Sequence, residues 1–174
     1  DVITPLFSDY AVKYRYVWMP GGVSAQFHER DVFDFPMGTV FLKTFSYLND
    51  VRDPSLGERV LETRLLIHNS KGWKGWAYVW NEEQTEAVLK IAGTTVDAEW
   101  IDADGKPMKN NYIVPNVNQC KGCHEQGEKM MPIGPKARYL NMDYEFPHGL
   151  QNQLSRLAEV GYLTGLPDDI GTVP

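Results

Sequence analysis

The chain has 174 residues, a formal net charge of −6, 43% hydrophobic residues and 23% charged residues, the composition of an ordinary globular protein of one domain. The acidic balance argues against a nucleic-acid partner, whose phosphates need a basic face, and no apolar run approaches the roughly 20 residues of a membrane span. Five Trp, nine Tyr and seven Phe supply side chains that can wall a flat, apolar cofactor.

The chain opens as β structure. Alternation predicts strands over Lys13–Trp18, Thr39–Tyr47, Arg59–His68, Gly75–Trp80, Thr95–Ile101 and Asn111–Val114. Phe35-Pro-Met-Gly forms a turn before the second strand. In the third, apolar Leu61, Leu65 and Ile67 alternate with polar Glu62, Arg64 and His68. Glu82–Lys90 reads equally as a helical turn or a strand. Asp102-Ala-Asp-Gly reads as a hairpin turn; it lacks the later ligands of a calcium loop.

Two strand faces are candidates for contact with a ligand. Phe41, Lys43, Phe45 and Tyr47 share one face of the second strand, because side chains alternate. A lysine among aromatics is costly unless it is paired or its head reaches water. Either this is a solvent face with Val40 and Leu42 packed inward, or Lys43 meets a cofactor. Trp76, Tyr78 and Trp80 share a face of the fourth strand. They would wall a cofactor or fill an ordinary sheet core.

After Pro115 the character changes. Residues 120–124 read Cys-Lys-Gly-Cys-His, and Cys120 and Cys123 are the only cysteines. Cys-x-x-Cys-His is the attachment signal for c-type haem. Two thiols at i and i+3 lie on one side of a helical turn and add to the two haem vinyl groups. His124 then ligates the iron from one face, and Gly122 lets the macrocycle edge approach the backbone. Structural zinc would call for a second Cys-x-x-Cys pair. A thioredoxin-like motif would call for an early βαβ setting. Neither is present in the sequence, so the motif implies one covalent haem c on a short helix.

The second axial position decides what such a haem does. Met131 and Met142 are the candidate distal ligands. Met130 and Met131 follow His124 closely, and seven extended residues reach roughly 25 Å at most; Met142 reaches easily. Any methionine is also a routine core filler. His28 and His148 are further candidates, and a lone histidine is more often structural or exposed.

Met130–Asn141, broken by Pro and Gly, is expected to wrap the cofactor. Leu150, Leu154 and Leu157 at i, i+4 and i+7 predict an amphipathic helix, with Gly161 at its left-handed cap. The polar tail Leu166–Pro174 is expected to be loose. The reading is therefore a mainly β (α+β) fold: one haem domain over 1–174. An antiparallel β-rich body spans 1–115, and a haem-attachment and helical segment spans 116–174. Because haem attachment to this motif occurs outside the bacterial cytoplasm, the expected location is periplasmic or extracellular. A secretion signal or a larger upstream region is expected before Asp1.

Pro5–Ala11, Phe35–Phe45, Glu62–Leu66, Tyr78–Ala87, Cys120–His124 and Pro132–Asn141 resemble a bacterial family of secreted c-type cytochromes, often described as dihaem and with little described function. The resemblance spans nearly the whole chain. With one Cys-x-x-Cys-His here, it implies that a second haem lies on a region outside this chain. A looser resemblance is to the cytochrome P460 and cytochrome c′-β group of β-sheet haem proteins: a Pro-x-Gly-Thr-Val strand with a lysine, a Gly-Trp-rich strand and a late haem motif. By that resemblance Lys43 matches a lysine that cross-links to the haem in cytochrome P460. The segment after His124 is longer than that group leads one to expect.

Two functions follow. The first is an electron-transfer monohaem cytochrome, serving a redox partner protein alone, as a homo-oligomer, or as a module of a larger cytochrome. The second is a haem protein with an open distal site that binds nitric oxide or oxidises a small nitrogen substrate, with Glu82 or Glu83 as proton acceptor. Whether the chain is an enzyme is left open by the sequence, with the carrier favoured.

Overall fold

The computed structural model describes residues 2–3 and 5–174. It is mainly β, with short helices. In chain order the strands are β1 Val12–Trp18, β2 Ala25–Gln26, β3 Val40–Leu48, β4 Glu58–Asn69, β5 Gly72–Trp80, β6 Ala87–Leu89, β7 Thr94–Ile101 and β8 Pro107–Val114. Then come α1 Val117–His124, β9 Glu125–Gln126, β10 Lys129–Met130, α2 Ala137–Leu140, β11 Asp143–Phe146, β12 Gly149–Asn152, α3 Gln153–Glu159 and β13 Leu163–Thr164. All six strands expected from alternation are present. The ambiguous stretch resolves as a turn running into β6.

The body is a five-stranded antiparallel sheet in the order β1-β3-β4-β5-β6. Its register aligns three rows on one face: Val17, Phe41, Leu66 and Gly75; Arg15, Lys43, Arg64 and Ala77; Lys13, Phe45, Glu62 and Val79. The opposite face carries Tyr16, Leu42, Leu65 and Trp76 in one row and Tyr14, Thr44, Thr63 and Tyr78 in the next. The first face is the inner one. Phe45, Tyr47, Leu61 and Ala77 pack there against Ala98, Trp100, Tyr112 and Val114 of the antiparallel β7–β8 hairpin. Burying side chains of this size stabilises by roughly 1.5–3 kcal/mol each.

The inner face carries charge as well as the core, and the outer face carries exposed aromatics, so the sheet departs from clean apolar-in, polar-out alternation. Glu62 is 0% exposed, whereas Tyr16 and Trp18 are 62% and 54% exposed on the outer face. A β-bulge opposite Phe45 and Ser46 leaves Leu61 without a strand partner. Both Leu61 and the adjacent Glu62 are thereby buried, which strict alternation forbids.

The segment after Pro115 makes a second core with residues from the first third of the chain. Ala137, Leu154, Leu163 and Val173 pack with Met19, Ala25 and Phe33, and β13 pairs in parallel with β2. Two expectations need correction. Leu150 is on β12 and 68% exposed, so it lies outside the helix. α3 starts only at Gln153, because the Asn152 side chain accepts from the backbone N–H groups of Leu154 and Ser155 and so caps it. The tail is docked: Ile170–Thr172 forms a 3₁₀ turn, Val173 is buried, and its carbonyl accepts from Asn141. Gly161 does take the left-handed conformation, at φ 77°, just past α3.

Candidate haem-attachment site

Cys120, Cys123 and His124 lie on α1, as the spacing predicts. Asn116 caps the helix: its side chain accepts from the Gln119 N–H at 2.9 Å, and the Gln119 side chain accepts from the Asn116 N–H at 2.8 Å. That reciprocal pair satisfies two otherwise free donors. None of the helical residues is buried, so α1 lies on the surface, leaning on the sheet by one edge. The contact is at Gly75 of β5. A Cβ there would sit 3.7 Å from the Cys120 Cβ and 3.0 Å from the Met130 Cε. Glycine lets helix and sheet approach this closely.

His124 is oriented by its own hairpin. β9 and β10 pair antiparallel through a turn at Gly127 and Glu128, both with positive φ. The turn brings the Met131 carbonyl 2.9 Å from His124 Nδ1. A carbonyl only accepts, so Nδ1 carries the proton and Nε2 keeps its lone pair. This is how metal-binding imidazoles are usually held. Burial lowers the His124 pKa; the Met131 carbonyl opposes this, and the nearby Lys43 and Arg64 charges add to it. Burial also raises the Cys120 thiol pKa.

Under α1 lies the inner face of the sheet. Arg64 donates from Nε to Glu62 Oε1 at 2.8 Å and also from Nη2 to the same oxygen. Tyr112 donates its hydroxyl to Oε1 at 2.6 Å. Glu62 Oε2 is buried with no partner. Burial first, and the Glu62 charge second, push the Tyr112 hydroxyl far up. Lys43 is half-buried on the same face, its pKa lowered to about 8 by burial and by the cations Arg15, Arg64 and Lys13. Beside them Phe41 meets Trp73 at 5.6 Å and Phe35 at 4.8 Å between ring centroids, and Trp73 stacks on His68 at 4.5 Å.

The structure thus brings Lys43 to the face that α1 covers, and it separates the other candidates. Trp76, Tyr78 and Trp80 point to the outer face, and the Trp80 indole donates to Thr63 Oγ1 at 3.0 Å there. They do not wall the α1 side; Phe41 and Trp73 do. The reason is parity: Gly75, Ala77 and Val79 face inward, so the even-numbered residues of β5 face out. The Met131 carbonyl lies at the Nδ1 edge of His124. Met142 follows α2, its carbonyl accepting from the Gln153 N–H, within the segment of the second core. His28 Nδ1 accepts from the backbone N–H of Asp31 at 3.0 Å in a local turn, and His148, Glu82 and Glu83 are exposed.

Glu62, Arg64, Tyr112, Trp73 and Gly75 are site residues that the sequence reading did not single out. The available signal for the first two was their i, i+2 spacing, which puts a carboxylate and a guanidinium on one face of a strand.

The donor set fits a covalently held haem. Two free thiols are one helical turn apart, an imidazole offers Nε2, and aromatic and cationic side chains face the motif. A Cβ at Gly122 would meet nothing within 4 Å, so that flank of α1 is open. Among the described residues no three His, Cys, Asp or Glu side chains converge as a site for a bare metal ion, and no helix is long and apolar enough to cross a membrane. Comparison with known proteins finds no matching family model, curated protein or solved structure.

Proposed function

We propose that this chain is an extracytoplasmic monohaem c-type cytochrome domain that passes single electrons to a redox partner protein. The observation that carries the reading is the pairing of His124 Nδ1 with the Met131 carbonyl, next to two thiols on one turn. It leaves Nε2 for iron. When bound, haem supplies one-electron chemistry between ferric and ferrous iron. The chain's own residues do the rest. Cys120 and Cys123 anchor the cofactor, and His124 ligates it in a fixed tautomer. Phe41 and Trp73 exclude water from one side. The surface position of α1 keeps a cofactor edge near solvent, where a partner can approach. The Cys-x-x-Cys-His spacing agrees with this reading.

A second reading draws on the groups that face the motif from the sheet. These are Lys43, Arg64 and the aromatics Phe41 and Trp73. That arrangement favours an open distal position, and with it binding of nitric oxide or oxidation of a small nitrogen compound. The optical spectrum of the matured protein separates the two. Low-spin ferrous haem with sharp α and β bands supports the carrier. High-spin haem that takes up carbon monoxide at once supports the open site.

A further inference from the structure

Arg15, Lys43 and Arg64 stand directly opposite one another across three adjacent strands, β1, β3 and β4. Like charges in such a position destabilise a sheet. The carboxylate that register puts on these rows, Glu62, is committed to Arg64 and Tyr112 through one oxygen. The Lys43 ammonium makes no hydrogen bond or ion pair with any described residue. Its Nζ rests 4.8 Å from the centroid of the Phe45 ring, and the Arg64 guanidinium carbon lies 4.3 Å from the same centroid. Two cations therefore share one aromatic ring on a covered face, with a single buried carboxylate between them. Burial, then the neighbouring cations, lower the Lys43 pKa, and the Glu62 charge opposes them as the smallest cause.

We propose that Lys43 and Arg64 form a carboxylate seat and that it receives the propionates of the haem tethered at Cys120 and Cys123. The proposal rests on the haem reading above. The propionates leave the macrocycle at the edge opposite the vinyl groups. Cys120 sits over Gly75 on β5, one row along the strands and one strand from Arg64 and two from Lys43, which is roughly 8 and 12 Å at ordinary strand spacing and rise. A macrocycle fixed at its vinyl edge above β5 and lying along the inner face carries its propionates across β4 toward β3. Arg64 offers a planar fork suited to a carboxylate, and Lys43 adds a compact charge. Glu62 is the positioning residue. It is fully buried and holds Nε and Nη2, which fixes the plane of the guanidinium and leaves Nη1 for a ligand. Phe41 flanks Lys43 on the same strand face and offers apolar surface to the ring.

The test uses the haem-loaded protein matured with the attachment machinery, as wild type, Lys43→Gln, Lys43→Arg and the remote surface control Lys109→Gln. Covalent haem is counted by mass, the propionate bending band is read by resonance Raman, and the midpoint potential is measured with and without added phosphate. The seat predicts full attachment in every variant. In Lys43→Gln the propionate band shifts and the potential falls. Lys43→Arg restores the band, and Lys109→Gln changes neither. An unchanged band and potential in Lys43→Gln overturns the seat while the haem reading stands. If phosphate shifts the wild-type potential, Lys43→Gln abolishes that shift and the band stays fixed, the seat holds a free oxyanion and the propionate assignment is overturned. Wild type with no covalent haem overturns both, and this is seen before any variant is compared.

Discussion

His124 donates its Nδ1 hydrogen to the carbonyl of Met131 at 2.9 Å, and Met131 returns its N–H to the His124 carbonyl at 2.7 Å. The two residues are seven apart and joined by a tight hairpin. The geometry of the proposed iron ligand therefore depends on the turn that closes that hairpin. At its tip Gly127 and Glu128 have φ of 56° and 64°. Glycine adopts this conformation freely, but glutamate is strained in it.

Glu128→Asn or Glu128→Gly should therefore stabilise the chain. The expected gain is about 0.5–1 kcal/mol, or a Tm rise of roughly 1–4 °C for a domain of this size. Thermal unfolding of the two variants against the parent measures it. A fall in Tm would mean that the glutamate side chain makes a contribution larger than its backbone strain.

Gly75 sets how closely α1 approaches the sheet. Gly75→Ala puts a methyl 3.0 Å from the flexible end of Met130, which can swing aside. The expected cost is below about 1 kcal/mol. Gly75→Leu drives a branched side chain into Cys120 and should cost about 1–3 kcal/mol by overpacking. The same variant should reduce the fraction of chains that acquire covalent haem. Urea unfolding and haem-to-protein ratios check the two effects separately.

Glu62 is the buried anion that keeps Arg64 in place. Glu62→Gln leaves the guanidinium half-buried without its counter-charge, and breaking such a pair costs about 3–5 kcal/mol. Tyr112→Phe removes the hydroxyl's bond to Glu62 Oε1 and the longer one it accepts from Arg64 Nη2, and should cost about 1–2 kcal/mol. Because both act on Glu62 Oε1, the double variant should lose less than the sum of the two. Full additivity in urea unfolding would show that the three side chains do not act as one network.

Asp50 gives a pH test remote from the haem motif. It accepts from Arg52 Nε at 3.0 Å and Nη2 at 2.7 Å, and from the Arg52 backbone N–H at 2.9 Å. Those bonds, the side-chain ones foremost, lower its pKa from 3.8 to about 2. A carboxylate with a depressed folded pKa adds stability above its unfolded pKa and loses it as pH falls through the folded value. Asp50→Asn should therefore lower Tm at pH 6, and the difference should shrink between about pH 4 and pH 2. A difference that persists unchanged at pH 2 would assign the effect to shape and not to charge.

Local pattern located the strands and the short helix that carries Cys120 and Cys123, because alternation and the Cys spacing are written along the chain. Pattern could not say which side of a strand faces inward. Tyr78 and Trp80 made one face of β5 look like the natural wall of a pocket. In the structure Gly75 faces α1, because close approach of a helix needs the smallest residue and not the largest. The same ambiguity hid Glu62 and Arg64, which read as a polar face and lie beneath the site. Their burial depends on the β-bulge at Leu61 and on the β7–β8 hairpin folding over them. Both are long-range events that no window of neighbouring residues encodes. Leu150 fell outside α3 for a local reason, the capping side chain of Asn152. That signal was present in the sequence and was outweighed by the leucine spacing.

The intact mass of the protein matured with the haem-attachment machinery tests the central claim most directly. The account predicts a single species heavier than the bare polypeptide by one haem, unchanged by extraction with acidified organic solvent and lost when Cys120 and Cys123 are both replaced by Ala. A colourless product at the bare polypeptide mass, or a haem retained after both cysteines are replaced, would contradict it.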